Sequence, residues 1–331
     1  MMRGTSIPRH HACRGFSLIE LMVALGLSAL MLTGTVVLFQ QSRSSGHQDE
    51  QTARMQENGR YALRLLTREL MMSGYWAGMV DVSDITTADA SIGTDCASGW
   101  AKTLSRSLEF TNNASASPYT ACVPNAEVSS GTDILALRRV ADLPVMRVSS
   151  AGVRSGSGTA GTIYLKTNLV KGALYDADSS TDVGPTSIST PNQVLAYLPQ
   201  VFYVRPWSST SGDGIPTLVR EGLEQDDMAA QPLVDGVENM QFEFGIDGSD
   251  EDVSPDYYTS TPTVSELSNA VSARVSVLIR SINPVTGYVN DKTYTVGPQL
   301  INPRNDAYYR RVYSGTVQLR NADKLKLYAV N

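Results

Sequence analysis

The sequence predicts an α+β chain, with one long N-terminal helix ahead of a head built of strands and loops. Three observations carry this. An apolar run from Phe16 to Phe39 is interrupted by a single charge, Glu20. As a helix it would be ~36 Å long, enough to cross a bilayer. Beyond it, "QQSRSSGHQDEQTARMQ" and the residues to about Ser73 keep a helical composition without Pro. From Gly74 onward, β-branched and alternating runs recur between Ser/Thr/Gly/Pro-rich stretches, the pattern of strands joined by exposed loops. A chain of 331 residues with 18% charged residues is neither disordered nor a polytopic membrane protein. Its net charge of −6 and the lack of a basic stripe argue against nucleic acid as a partner.

The first fifteen residues, "MMRGTSIPRHHACRG", carry Arg3, Arg9 and Arg14 and no acid. Basic residues before an apolar span predict a cytoplasmic N-terminus and an exported remainder. The apolar run exceeds the ~7–15 residues of a cleaved signal core, and no small-x-small site follows it, so the segment is expected to be retained. Glu20 is its anomaly. A charged side chain at a helix centre costs about 2.5–3.5 kcal/mol on insertion scales, so it requires a partner.

The second half of the helix places Met55, Ala62, Leu63, Leu66 and Leu70 at helical spacing with charges on the other side. Gly74 is its expected C′ residue, while Gly46 and Gly59 weaken its middle. From Phe16 to Ser73 it would be ~87 Å long, and no sustained heptad makes it a coiled coil.

In the head, strands are expected at 107–111, 133–140, 145–149, 162–167, 194–205, 237–245, 271–282 and 309–320. Val271, Ala273, Val275, Val277 and Ile279 alternate as in a half-buried strand. Thr263 and Glu266 have the spacing of a capping box for a short helix before it. "GSGTAG" (156–161) matches a dinucleotide fingerprint only on paper: a polar tract precedes it and a strand pattern follows, so it reads as a loop. Trp76, Trp100 and Trp207 read as core-edge packing. "GIDGSDEDVSPD" (245–256) gathers carboxylates, and a Ca²⁺ loop through Asp247, Asp250 and Asp252 is one reading. The spacing is not that of an EF-hand, so a solvated acidic turn is preferred.

"RGFSLIELMVAL" resembles the type IV prepilin processing motif. The resemblance implies that prepilin peptidase cuts after Gly15, that the new N-terminal Phe16 is methylated, and that Glu20 pairs with a neighbouring subunit's N-terminal ammonium. Opposite charges at about 4 Å attract by several kcal/mol at intermediate dielectric, which offsets part of the desolvation cost. With its partner on another chain, Glu20 is expected to be unpaired in a single one. "QENGRYALRLLTRELMMSGYWAG", "GTDILALRRV" (131–140), "VFYVRP…GIPTLVREGL" (201–223), "LVDGVENMQFEFGID" (233–247) and "RRVYSGTVQLRN" (310–321) are similar to the PilW group of minor pilins. The implied organisation is a leader (1–15), a helix (16–73, with 16–39 as transmembrane segment and fibre core) and a periplasmic head (74–331). The implied fold is type IV pilin-like, with the second half of the helix packed on an antiparallel sheet.

Loss of the leader removes His10, His11 and Cys13, leaving His47 on the helix as the sole His. No Ser-His-Asp triad, Cys-His dyad or His-based zinc site is then available to the head, so an enzyme is not expected and no cofactor is implied. Cys96 and Cys122 remain as the only thiols, and an oxidising periplasm favours a disulfide over two unpaired buried Cys. The resemblance implies a minor pilin that takes part in pilus assembly or its initiation, with the tip as one location. Its partners would be minor and major pilins, prepilin peptidase and the inner-membrane assembly machinery. It would be a single-pass inner-membrane protein before entering the extracellular pilus. A type II secretion pseudopilin shares this N-terminal logic. A membrane-anchored periplasmic enzyme or binding protein is the alternative from another class.

Overall fold

The structure, a computed structural model, describes residues 17–248 and 254–321. Residues 1–50 and 51–331 form two compact units, and helix α1 (Leu18–Met72) contributes to both. In the first unit every side chain from Ser17 to Arg43 is exposed. Among the described residues, α1 is the one helix long and apolar enough to cross a membrane.

The second unit contains β1 (Ile85–Asp89), β2 (Leu108–Ala114), β3 (Thr132–Val140), β4 (Met146–Val148), β5 (Arg154–Gly156), β6 (Ile163–Thr167), β7 (Gly172–Asp176) and β8 (Asn192–Arg205). It continues with β9 (Thr217–Glu224), β10 (Asp227–Asp235), β11 (Val237–Ile246), β12 (Tyr257–Thr259), a short helix α2 (Val264–Ser268), β13 (Ala270–Arg280), β14 (Tyr294–Val296), β15 (Gln299–Ile301) and β16 (Arg310–Gln318). The larger sheet has ten strands along the order β1-β7-β6-β8-β3-β2, with the β9–β10 hairpin and the β4–β5 pair attached through β8. A four-stranded sheet has the order β12-β11-β13-β16, and β14–β15 form a ribbon. Apart from the parallel β1–β7 pair, the described pairings are antiparallel. The chain thus has the α+β, pilin-like arrangement expected.

The main core lies between elements of both sheets and the helix. Met55, Ala62, Leu66 and Leu70 of α1 pack with Val275 and Val277 of β13, Phe242 and Phe244 of β11, and Leu135 and Phe202 of the larger sheet. Gly59 serves this contact rather than merely weakening the helix: a Cβ there would overlap the Tyr313 ring on β16. Gly315 in turn lies against Leu63, so α1 and β16 approach through two glycines. Gly74 ends the helix at φ 72°, a conformation glycine adopts without a Cβ penalty.

Three expectations change. β13 is buried on both faces, not half-buried; Ser272, Ser276 and Leu278 are covered as well as the alternating apolar set. The β14–β15 ribbon accounts for part of this, because Gly297 between its strands sits near Ser276 and Gln241. The β9–β10 hairpin, β7 and β1 were not expected as strands. β5 carries the start of the glycine-rich tract into a short pairing with β4 before the chain leaves as a loop.

Candidate functional site

In the first unit Ser17 and Glu20 open the helix together. The Ser17 hydroxyl accepts from Glu20 N–H at 3.2 Å, and Glu20 Oε2 accepts from Ser17 N–H at 3.0 Å and from its hydroxyl at 3.1 Å. This is the reciprocal arrangement of a capping box, with an acid at the positive end of the helix dipole. Within the chain Ser17 hydrogen-bonds Glu20 but carries no positive charge, so it does not stand in for the cation expected from a neighbouring subunit. The signal was legible in "SLIE", a Ser-x-x-Glu spacing read only for its charge. Gly15 and Phe16 lie outside the described residues.

Along the apolar surface the hydroxyls turn inward. Ser28 donates to Ala24 C=O at 2.7 Å, Thr33 to Ala29 C=O at 2.6 Å and Thr35 to Leu32 C=O at 2.9 Å. Each polar group is thus satisfied within its own helix, as hydrocarbon or a dry protein interface demands. Arg43 stands over the Phe39 ring at 5.4 Å, where the apolar run ends. The segment can bury its whole circumference in lipid or among other helices.

In the second unit the helix is tied to the larger sheet by a buried bidentate pair. Arg139 on β3 donates to Glu69 at 2.7 and 2.9 Å. Asn58 donates to Asp235 C=O at 2.9 Å, which fixes the helix against the β10–β11 corner.

Cys96 and Cys122 form a disulfide. The loop it closes packs onto β2 and β3 through a shared hub, Glu109. Glu109 accepts from Trp100 Nε1 at 3.1 Å, from Tyr119 Oη at 3.0 Å and from Arg138 Nη2 at 3.2 Å. The fully buried Arg138 stacks over Trp100 at 4.3 Å and donates to the carbonyls of Trp100 and Arg106. Burial, followed by the Glu109 charge, pushes the Tyr119 phenol far above its ordinary range. This keeps Tyr119 a neutral donor. Trp76 and Trp100 are buried in cores, whereas Trp207 stacks under Arg205 at 3.5 Å.

Two buried acids were not singled out in the sequence. Asp133 on β3 accepts from Asn113 N–H at 2.8 Å and from Phe242 N–H at 2.7 Å, so one carboxylate joins the two sheets. Burial raises it to about 7 against the pull of those two bonds. Glu221 on β9 is raised to about 7 by burial and then by Glu127. Among the described residues no group of three His, Cys, Asp or Glu is placed to hold a metal ion. Asp247 is fully buried at the end of β11 and not part of a solvated turn, and Asp250 and Asp252 lie outside the described residues.

Residues 201–321, from the last five residues of β8 to just past the end of β16, match the family model PilW, Type IV Pilus-assembly protein W. Residues 10–36 match the prokaryotic N-terminal methylation motif. The chain matches a PilW-family, prepilin-like protein. No curated protein and no solved structure gives a significant match. The PilW match covers β11, β13 and β16, which receive the helix, as well as the β9–β10 hairpin. The methylation motif covers the Ser17–Glu20 cap and the first turns of α1. The two matches support a type IV pilus-related, pilin-like protein, and the structure gives it an apolar N-terminal helix and a disulfide-closed loop in its head.

Proposed function

We propose that this protein is a minor pilin that takes part in type IV pilus assembly or its initiation, with a place at or near the fibre tip. The reading rests on one conjunction: a prepilin-type start, with Glu20 held at the mouth of a fully exposed apolar helix, in a chain whose residues 201–321 match PilW. Residues 1–15 are the leader, removed after Gly15 to leave Phe16 for methylation. Residues 16–73 are the helix, and 74–331 the periplasmic head. Prepilin peptidase acts on the inner-membrane form, the assembly machinery extracts it, and other minor and major pilins surround it in the pilus. Its work is assembly rather than catalysis.

Glu20 has two roles in this scheme. In the free chain Ser17 caps it. In the fibre the same carboxylate meets a neighbour's N-terminal ammonium, exchanging hydroxyl and amide donors for a cation. Mass spectrometry of the mature N-terminus tests the reading directly, since a chain beginning at methylated Phe16 is expected. Residues 1–15 still attached in cells with active prepilin peptidase would refute it. Glu20→Ala is expected to leave processing intact and to reduce incorporation into pili; normal incorporation would remove Glu20 from the mechanism.

A further inference from the structure

β2 ends the larger sheet, and among the described residues no strand pairs with its outer edge. Its register with β3 fixes which groups that edge presents. Arg138 N–H donates to Ser107 C=O at 2.9 Å, and Glu109 and Thr111 stand opposite Ala136 and Ile134. In an antiparallel ladder these alternate residues exchange bonds with β3, so Leu108 and Phe110 turn their N–H and C=O groups outward. Native proteins rarely leave such an edge without cover or charge.

The edge lies in a cleft of 540 Å³, which Ser105 through Thr111 line without interruption. Such a volume falls within the ~300–1,000 Å³ range of small-ligand sites. One wall is the disulfide-closed loop, through Ala97, Trp100, Pro118 and Tyr119. The opposite wall is α2 and its approach, through Pro262, Val264 and Leu267. The walls that flank this edge disfavour approach of the edge of a second sheet, and with it β2-to-β2 pairing of two copies. It admits a single extended segment of about four residues, ~13 Å long. The charges also select. Glu109 is committed to Arg138, Trp100 and Tyr119, whereas Arg106 is exposed at the cleft and makes no ion pair among the described residues.

We propose that the β2 edge is a strand-addition site that takes an extended segment of a neighbouring pilus subunit. The segment hydrogen-bonds to the main chain of Leu108 and Phe110. It sets apolar side chains toward Val264 and Leu267 and an acidic side chain opposite Arg106. Main-chain pairing supplies the affinity, and the two walls and Arg106 supply the choice of sequence. The disulfide holds one wall in place. This inference rests on the assembly reading above and names the surface by which the head would join its neighbour.

Amide exchange on the full-length protein tests it, measured in detergent micelles and in isolated pili. The amides of Leu108 and Phe110 are expected to exchange rapidly in micelles and to slow by roughly a hundredfold or more in pili, while Glu109 and Thr111 are protected in both. Arg106→Glu, at an exposed site, is expected to lower incorporation about two- to fivefold, the scale of an exposed ion pair. Equal exchange of Leu108 and Phe110 in micelles and pili overturns the inference and leaves the assembly reading standing. Protection already present in micelles and lost in a chain ending at Asn321 also overturns it, because the occupant is then residues 322–331 of the same chain. Absence of the wild-type chain from pili overturns the assembly reading and this inference with it.

Discussion

Asp133 makes the head's stability depend on pH in a direction opposite to the usual surface acid. The carboxylate is fully buried on β3 and accepts one bond from β2 and one from β11. Burial outweighs those bonds and raises it to about 7, whereas an unfolded Asp titrates near 3.9. A folded state with the higher pKa binds protons more tightly than the unfolded one. The resulting stabilisation is full below the unfolded value and is lost as pH rises through the folded value. Integrated from pH 5 to pH 8, the loss from this one group is about 2.5 kcal/mol. Glu221, also raised to about 7, acts in the same direction, so the wild-type profile alone would not isolate Asp133. Asp133→Asn does. The amide does not titrate, and it can accept only one of the two backbone bonds, a pH-independent cost of about 1–3 kcal/mol. Urea unfolding of both chains in micelles, followed by the fluorescence of buried Trp76 and Trp100, is expected to show the gap between them shrinking by about 2.5 kcal/mol from pH 5 to pH 8. A gap constant to within about 0.5 kcal/mol, less than the linkage of one such group, would refute the assignment.

The remaining predictions address how the helix and the loop are held. Cys96→Ser with Cys122→Ser is expected to cost about 3.5 kcal/mol in the chain-entropy model for a separation of 26 residues, and reduction with dithiothreitol should lower the thermal midpoint of the wild type but not of the double variant. Glu69→Ala leaves Arg139 buried without its carboxylate and is expected to cost about 3–5 kcal/mol by urea titration. Gly59→Ala, favourable by about 1 kcal/mol in an exposed helix, is expected instead to destabilise by about 1–3 kcal/mol through the Tyr313 ring, and Tyr313→Ala in the same chain should recover part of that loss.

The elements that could be read in the sequence were those whose signal is local. The helix end at Gly74, the Thr263–Glu266 box before α2 and the long strands β3, β8, β11 and β13 each carry a cap, a backbone requirement or a run of β-branched residues. Thr263 and Glu266 bond reciprocally as their spacing implies. The β9–β10 hairpin was hidden because Arg220, Glu221, Gln231 and Pro232 break its alternation, and because its turn uses Gln225 at φ 63° with no glycine to announce it. β1 and β7 pair in parallel, as with Ile85 opposite Gly172 and Asp89 opposite Tyr175, across a long stretch of chain, a pairing no local pattern encodes. Glu109 carries no local signal for a related reason. Its partners Trp100, Tyr119 and Arg138 belong to a loop and a second strand, and they converge only after the disulfide and the β2–β3 register are set.

The same contrast separates the two ends of the candidate function. At the N-terminus, capping and the apolar helix, and with them the proposed cleavage, depend on consecutive residues, so a short motif can carry them, and residues 10–36 match the methylation motif. At the β2 edge, three features must meet before a partner strand has a place to enter. They are a ladder phase set by β3, a wall closed by Cys96 and Cys122, and a second wall supplied by α2 some 150 residues further along the chain. Under the proposed function, local motifs would account for how such a chain enters a fibre, whereas tertiary assembly would determine which neighbour its head accepts. If so, Cys96→Ser with Cys122→Ser should leave processing at Gly15 unchanged while reducing the protection of Leu108 and Phe110 in pili. A loss of processing, or protection undiminished without the disulfide, would break that separation.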